Sequence, residues 1–432
     1  MPPKRHARPW ILLIGIFSVL LGLVPAAHAQ GGLAALQADL RRQLALAGPH
    51  DGGYVYDVTA RKALFSERAT TARAPASVEK LYTATAALAL MGPTARLTTQ
   101  VYGVGQMLPG GVWEGSLYLR GGGDPTFGSG SFIASHYGGV GTSVSTLVAE
   151  LVEKHGIHHI TGTVEGDEGF FDSRRGEPST DYAPDPFLEG TLSGLAFNRG
   201  ASGGIRGAHG PAAYAARALW GALKADGVSI RGKSGAAAVP AGAVLLASAS
   251  SPSVSQLLGL TLPPSDNFFA ETLLKDLGAL YGGAGTTSAG ARVVEREISS
   301  IFGFRPRVVD GSGLSRADRT SPYQVVDMLA GLYGTPTGQV LRDSLAVAGL
   351  TGTLERRMRH TAAAGRCEGK TGTLTGASNL VGYCRAAGGD EIAFAFFNDS
   401  ISTESAHVFQ DHMTITLANS RIPPAELARL RG

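Results

Sequence analysis

Two cysteines constrain the fold of this chain more tightly than any other feature. Cys367 and Cys384 flank two strand-like runs, Arg366 to Leu374 and Ala377 to Arg385, that meet at Thr375-Gly376. With that pair as a two-residue hairpin loop, Leu374 faces Ala377. Counting outward then sets Cys367 opposite Cys384, within disulfide reach. The pairing predicts an antiparallel ladder late in the chain. Two buried free thiols are the bland alternative, and a metal held by two lone cysteines is less suited still.

The N-terminal end bears on whether those thiols oxidise. A basic start (Lys4, Arg5, Arg8) precedes an apolar run from Trp10 to Val24, then Pro25 and the small-x-small pattern Ala27-His28-Ala29. This is the pattern of a secretory signal peptide over residues 1–29, cleaved before Gln30. The run falls short of the roughly 20 residues of a membrane span, so an uncleaved anchor is the weaker reading, and no later segment approaches that length. The expected mature chain is exported, periplasmic or extracellular, where disulfides persist. The three leader bases also account for the net charge: of 38 bases and 35 acids overall, none of the acids lies in the leader. A remainder with no net charge carries no footprint for nucleic acid. A 44% apolar content excludes general disorder.

Periodicity gives the organisation. Leu33, Leu36, Leu40 and Leu44 recur at helical spacing, and Tyr54–Tyr56 and Ala63–Phe65 read as short strands. A helix follows Pro75, with Val78, Leu81, Tyr82, Thr85 and Leu88 on one side, and ends at Met91-Gly92-Pro93. From residue 96 to 247 the character changes to short alternating runs (Thr99 to Val104, Trp113 to Leu119, Ile160 to Val164) between Gly-rich turns. Helical stretches near Thr146–Lys154 and Pro211–Asp226 interrupt them. Helices return at Val254–Leu260, Phe268–Leu280 and from Ser321-Pro322, where Ser321 and Gln324 form a capping-box pattern with Pro at the first helical position. A strand Ile392–Phe397 and a last helix with Ala406, Phe409, Met413 and Leu417 on one face close the chain. The reading is α+β: an antiparallel sheet flanked by helices, discontinuous over 30–95 and 248–432, with an inserted strand-rich module over 96–247.

Lysine and asparagine are scarce, which sharpens three short motifs. Of eight lysines, only Lys80 has a Ser three positions before it, in Ser77-Val78-Glu79-Lys80. Of five asparagines, only Asn267 follows a Ser by two, in Ser265-Asp266-Asn267, and only Lys370 precedes Thr-Gly. Ser77 and Lys80, three apart on a helix, share a face. A seryl hydroxyl needs an adjacent base, and a lysine serves as one when burial or a neighbouring cation lowers its pKa. Lys370 on the hairpin is the candidate for that second charge, since it differs from Cys367 by three and points to the other sheet face. Glu79, two residues from Ser77, lies on another side of the helix. Ser265 suits a proton relay, and the Asn267 amide suits a bridge between Lys80 and a substrate carbonyl. Gly372 leaves room for an extended substrate, Thr371 and Thr373 offer hydroxyls to a carboxylate, and the N–H groups of Ser77 and Thr373 are the candidate oxyanion hole.

With this order of motifs, and 188 residues between Ser77 and Ser265, the chain resembles the class C low-molecular-mass penicillin-binding proteins, serine-type D-alanyl-D-alanine carboxypeptidase/endopeptidases. Matching stretches run from Pro75 to Leu81, Gly121 to Pro125, Ser265 to Glu271, Asp310 to Arg316 and Gly369 to Leu374. The resemblance covers nearly the whole mature chain and thins between Phe127 and Leu245, where the insert is short for the family. It implies a penicillin-binding, serine β-lactamase-like transpeptidase fold and a Ser77 acyl-enzyme that releases terminal D-Ala from peptidoglycan stem peptides. It also implies inhibition by β-lactams and no cofactor. In some relatives an Arg matching Arg316 helps hold the side-chain carboxylate of a diaminopimelate; the plainer reading pairs Arg316 with Asp318 or Asp310.

Two rivals remain. A serine β-lactamase needs fast deacylation, and no Glu-x-x-Leu-Asn segment is present to hold the deacylating water. A non-hydrolytic wall-binding or β-lactam-sensing module has no need of all the motif residues. Gly121 to Asp124 lacks the helix and Lys of a phosphate loop. His155, His158 and His159 are interrupted by Gly156 and read as a solvated face, so no metal is expected.

Overall fold

The Cys367–Cys384 hairpin lies in a six-stranded antiparallel sheet and has the expected register. In the computed structural model, which describes residues 32–200 and 210–430, strand Cys367–Leu374 pairs with Ala377–Arg385, Leu374 faces Ala377, and Cys367 faces Cys384 in a disulfide. The sheet order is Ala346–Val347, Cys367–Leu374, Ala377–Arg385, Glu391–Asp399, Gly52–Asp57, Lys62–Glu67. The two ends of the chain thus share one sheet, Gly52 standing opposite Phe397. Helices cover both faces, so the central strand Ala377–Arg385 is buried at every position but its last. The proposed leader lies outside the described residues. No described helix is long and apolar enough to cross a membrane.

Each face has its own apolar layer. Leu36, Leu40 and Leu44 of helix Leu33–Ala47 pack with Met413 and Leu417 of helix Thr403–Asn419 over the face that carries Cys367 and Cys384. In that last helix Gln410 is buried where Phe409 was expected to be. Its amide donates to Asn398 Oδ1 (2.9 Å), so a polar contact outranks the apolar one at this position. The opposite face carries helices Lys80–Leu90, Asn267–Tyr281, Thr287–Phe302 and Pro322–Leu332. The capping box at Ser321 forms as read: Ser321 Oγ accepts from Gln324 N and Gln324 Oε1 from Ser321 N (3.1 Å). Helix Thr287–Phe302 had no sequence signal of comparable strength. It opens on small residues, and Gly290 lies so close to the neighbouring helix that a Cβ there would stand 2.0 Å from the Leu274 carbonyl oxygen.

Residues 98 to 250 hold a second sheet with an apolar cluster of its own, built on Val101, Leu117, Leu119, Leu147 and Leu219. Its long strands Thr98–Leu108 and Val112–Arg120 agree with the sequence reading, but the single run expected from Ile160 to Val164 is two short strands, His159–Ile160 and Val164–Asp167. Gly162 intervenes, packed against the Gly115 carbonyl. The stretch leaves and rejoins the chain at one place, where Ser251 N donates to Leu97 O (2.8 Å).

Candidate active site

Ser77 sits on a 3-10 turn, Ala76–Glu79, that runs into helix Lys80–Leu90, rather than inside a regular α-helix as the sequence suggested. In a 3-10 turn residues three apart eclipse one another, and Lys80 Nζ lies 2.8 Å from Ser77 Oγ. Two neighbours clamp the turn. Asn379, from the adjacent strand, donates its amide to the carbonyls of Ala74 (3.0 Å) and Pro75 (2.8 Å). Gly372 presses its backbone on the other side: a Cβ there would meet Pro75 O at 2.5 Å and Ser77 N at 3.2 Å. The glycine is therefore required by the protein's own packing, whatever room it also leaves for substrate. Ala76 at the head of the turn has φ +49°, a left-handed conformation that costs a residue with a Cβ of order 1–3 kcal/mol.

Lys80 is 1% exposed and has an acceptor for each of its three hydrogens: Ser77 Oγ, Asn267 Oδ1 (2.6 Å) and the Ser312 carbonyl (2.7 Å). Asn267 opens its helix, with Asp266 as the N-cap accepting from Phe269 N. The other end of the Asn267 amide donates to the Phe187 carbonyl (2.7 Å), where the sequence reading placed a substrate carbonyl. Lys370, fully buried, reaches Ser265 Oγ and the Thr371 carbonyl, both at 2.7 Å. All three motifs thus meet in one chain of contacts from Ser77 through Lys80 to Asn267, with Ser265 and Lys370 beside it.

Residues 33–186 and 192–420 match the D-Ala-D-Ala carboxypeptidase 3 (S13) family. The chain belongs to that family. A D-alanyl-D-alanine carboxypeptidase of Actinomadura sp. (strain R39) is 31% identical over 96% of this chain and 90% of its own length. Carboxypeptidase DacB of Mycolicibacterium smegmatis is 28% identical over 92% of this chain and 85% of its own. Penicillin binding protein 4 of Haemophilus influenzae has the same fold, with a TM-score of 0.73 at 21% identity over 87% of this chain and 97% of that one.

Burial dominates the electrostatics of this S13 site. Burial pushes Lys80 down to about 8, against the pull of Asp310, Glu271, Asp266 and Glu79, which favour its charge. Burial and then the charge of Lys80 push Lys370 well below the usual lysine range, with no acid to oppose them. Burial thus pushes both lysines toward the neutral form. Of the other anticipated residues, Thr371 donates its hydroxyl to Thr353 (2.8 Å), and Thr373 is exposed at the rim. Arg316 is exposed as well, beside the hairpin turn at Gly376. Its guanidinium is not paired with Asp310 or Asp318, which are engaged with backbone N–H groups. Sequence reasoning missed Asn379, which carries no motif, and the role of the Ser312 carbonyl, although Ser312 lies within the Asp310 to Arg316 stretch.

Proposed function

We propose that the protein hydrolyses the D-alanyl-D-alanine bond of peptidoglycan stem peptides through an acyl-enzyme on Ser77, and that β-lactams trap that intermediate. The observation that carries the reading is the buried Lys80 Nζ held 2.8 Å from Ser77 Oγ, with Asn267 Oδ1 and the Ser312 carbonyl as its two other partners. A neutral Lys80 takes the hydroxyl proton as Oγ attacks the carbonyl carbon, and the N–H groups of Ser77 and Thr373 receive the oxyanion. As the tetrahedral species collapses, the C–N bond breaks and the leaving amine takes that proton by way of Ser265. Water then enters, gives a proton to Lys80 and attacks the ester carbonyl, and as the C–Oγ bond breaks Lys80 returns that proton to Ser77 Oγ.

The terminal carboxylate of the substrate has a role in this scheme. Arriving beside Lys370, Thr371 and Thr373, it favours the charged form of Lys370. A charged Lys370 in turn disfavours the charge on Lys80, so binding prepares the base. Residues 1–29 act in this reading as an export leader, and residues 98–250 as a module nested in the catalytic sheet domain.

Labelling with a fluorescent penicillin, release of D-Ala from a pentapeptide, and intact-protein mass spectrometry test it together. The expected adduct is on Ser77, absent from a folded Ser77→Ala variant. An adduct on another residue would overturn the mechanism. Penicillin trapping without D-Ala release would leave a sensing module instead.

A further inference from the structure

Glu271 and Asp310 lie in stretches that match the family, yet neither touches a reacting atom. Both are fully buried, as are Glu79 and Asp318. Glu271 Oε1 accepts two backbone hydrogen bonds, from Gly311 N (2.9 Å) and Ser312 N (2.8 Å). Asp310 accepts from Gly313 N and Ser315 N, both at 2.6 Å, and Asp318 from Val309 N at 2.6 Å. Apart from Leu314 N, which donates to Ser312 Oγ, the N–H groups of the 309–315 loop are drawn onto three carboxyls. Its Ser312 carbonyl is free to face Lys80 Nζ, 2.7 Å away.

That carbonyl matters because of the shape of an amine. A neutral Lys80 has two N–H bonds and one lone pair. The lone pair accepts the Ser77 proton only if both hydrogens are directed elsewhere. Asn267 Oδ1 takes one and Ser312 O the other, and the third tetrahedral position is left aimed at Ser77 Oγ. Without the Ser312 acceptor the amine turns about its last C–N bond, and the lone pair is no longer held on the hydroxyl.

We propose that Glu271 is a positioning residue for the Ser77–Lys80 pair: its carboxyl pins the Gly311 and Ser312 N–H groups so that the Ser312 carbonyl orients the Lys80 lone pair. The inference rests on Lys80 being the base, as argued above. It adds a residue of helix Asn267–Tyr281 that acts four positions beyond Asn267, about one helical turn along the same side.

The test compares Glu271→Ala, Glu271→Met and Glu271→Gln in the full chain, by the acylation rate constant with benzylpenicillin and the dissociation constant of the complex that precedes acylation. Met fills the space of the side chain with only a weakly accepting thioether in place of the carboxyl, so it carries the comparison if Ala does not fold. Gln keeps an oxygen for the two N–H groups. The expected result is a fall of at least about tenfold in the acylation constant for Ala and Met, with preceding binding within about threefold of the parent. Gln should recover most of the rate. Burial raises the Glu271 carboxyl to about 8, so near neutral pH it carries little charge and the Gln variant should keep a pH profile close to the parent's there. The other groups facing Lys80 are unchanged: Glu79, Asp266, Asp310 and Lys370. Acylation by Ala or Met at the parent rate would overturn the proposal, as would Gln as slow as Met. Failure of the base reading looks different, since acylation of the parent itself would then be flat between pH 6 and 9.

Discussion

At the scale of single residues, the protonation of Lys80 governs the chemistry. Its lowered pKa, about 8, means the folded protein at neutral pH holds mostly the ammonium. The reactive neutral form grows as pH rises through that value. The second-order acylation constant with benzylpenicillin is therefore expected to rise about tenfold per pH unit below the midpoint and to level off above it. A flat profile between pH 6 and 9 would remove Lys80 as the titrating base. Arg316 gives a second expectation. Exposed, next to Gly376 and without an acid partner among the described residues, it is placed to hold a side-chain carboxylate bidentately. Arg316→Ala should lower kcat/KM at least about tenfold for stem peptides bearing that carboxylate, which corresponds to roughly 1.4 kcal/mol, and should leave benzylpenicillin acylation unchanged. Equal losses for both donors would show that Arg316 only supports the loop. Ser77, Lys80, Asn267 and Lys370 were legible because scarce residue types recur at spacings with a chemical reason. Asn379 and Glu271 were not, because each acts on backbone at least 40 positions away in sequence, and no local pattern announces that.

At the scale of elements, local rules read well where a turn or a cap sets the geometry. The hairpin register followed from Thr375-Gly376 and the Ser321 capping box from two side chains. The 3-10 turn at Ser77 was not readable. It arises from the pressure of Gly372 and the pull of Asn379, both from strands some 300 residues on. Gly372→Ala is accordingly expected to displace the Ser77 turn, lowering acylation at least about tenfold and also lowering Tm. An Ala variant with parental acylation would show that the turn yields without consequence. The disulfide ties one end of the same hairpin, on the face opposite Lys370. It closes a span of 17 residues, which in the chain-entropy model contributes on the order of 3 kcal/mol. A Cys367→Ser/Cys384→Ser variant should unfold at lower denaturant concentration by that margin while keeping its acylation rate. Free thiols in the non-reduced, denatured parent would refute the bond itself.

At the scale of the whole molecule, the inserted stretch reaches into the site, which its composition did not reveal. Phe187 lends its carbonyl to Asn267, Asp172 pairs with the buried Lys275, and Arg199 pairs with Asp266. Each contact joins residues 67 to 103 positions apart by a single side chain, so neither periodicity nor spacing foreshadows it. Arg199 is the most consequential of the three. Its guanidinium lies within 5.5 Å of the ring centres of Tyr137, Phe268 and Phe269, donates to Tyr137 Oη (2.9 Å), and has only 12% of its side chain exposed. Its partner Asp266 caps the helix whose first residue is Asn267, so the pair ties the insert to the turn that holds Lys80. Arg199→Met leaves the half-buried Asp266 carboxylate without its ion partner, though it still accepts from Phe269 N, which costs about 1–3 kcal/mol. The loss should appear in denaturant unfolding together with slower acylation by penicillin, as Asn267 loses its anchor. Adding Asp266→Asn removes the stranded charge but keeps an N-cap acceptor, so the double variant should regain part of the stability. It should regain less of the acylation, because the link to the insert stays broken. Parental stability and parental acylation in Arg199→Met would mean that the Arg199–Asp266 pair does not couple the insert to the site, leaving Phe187 and Asp172 as its contacts.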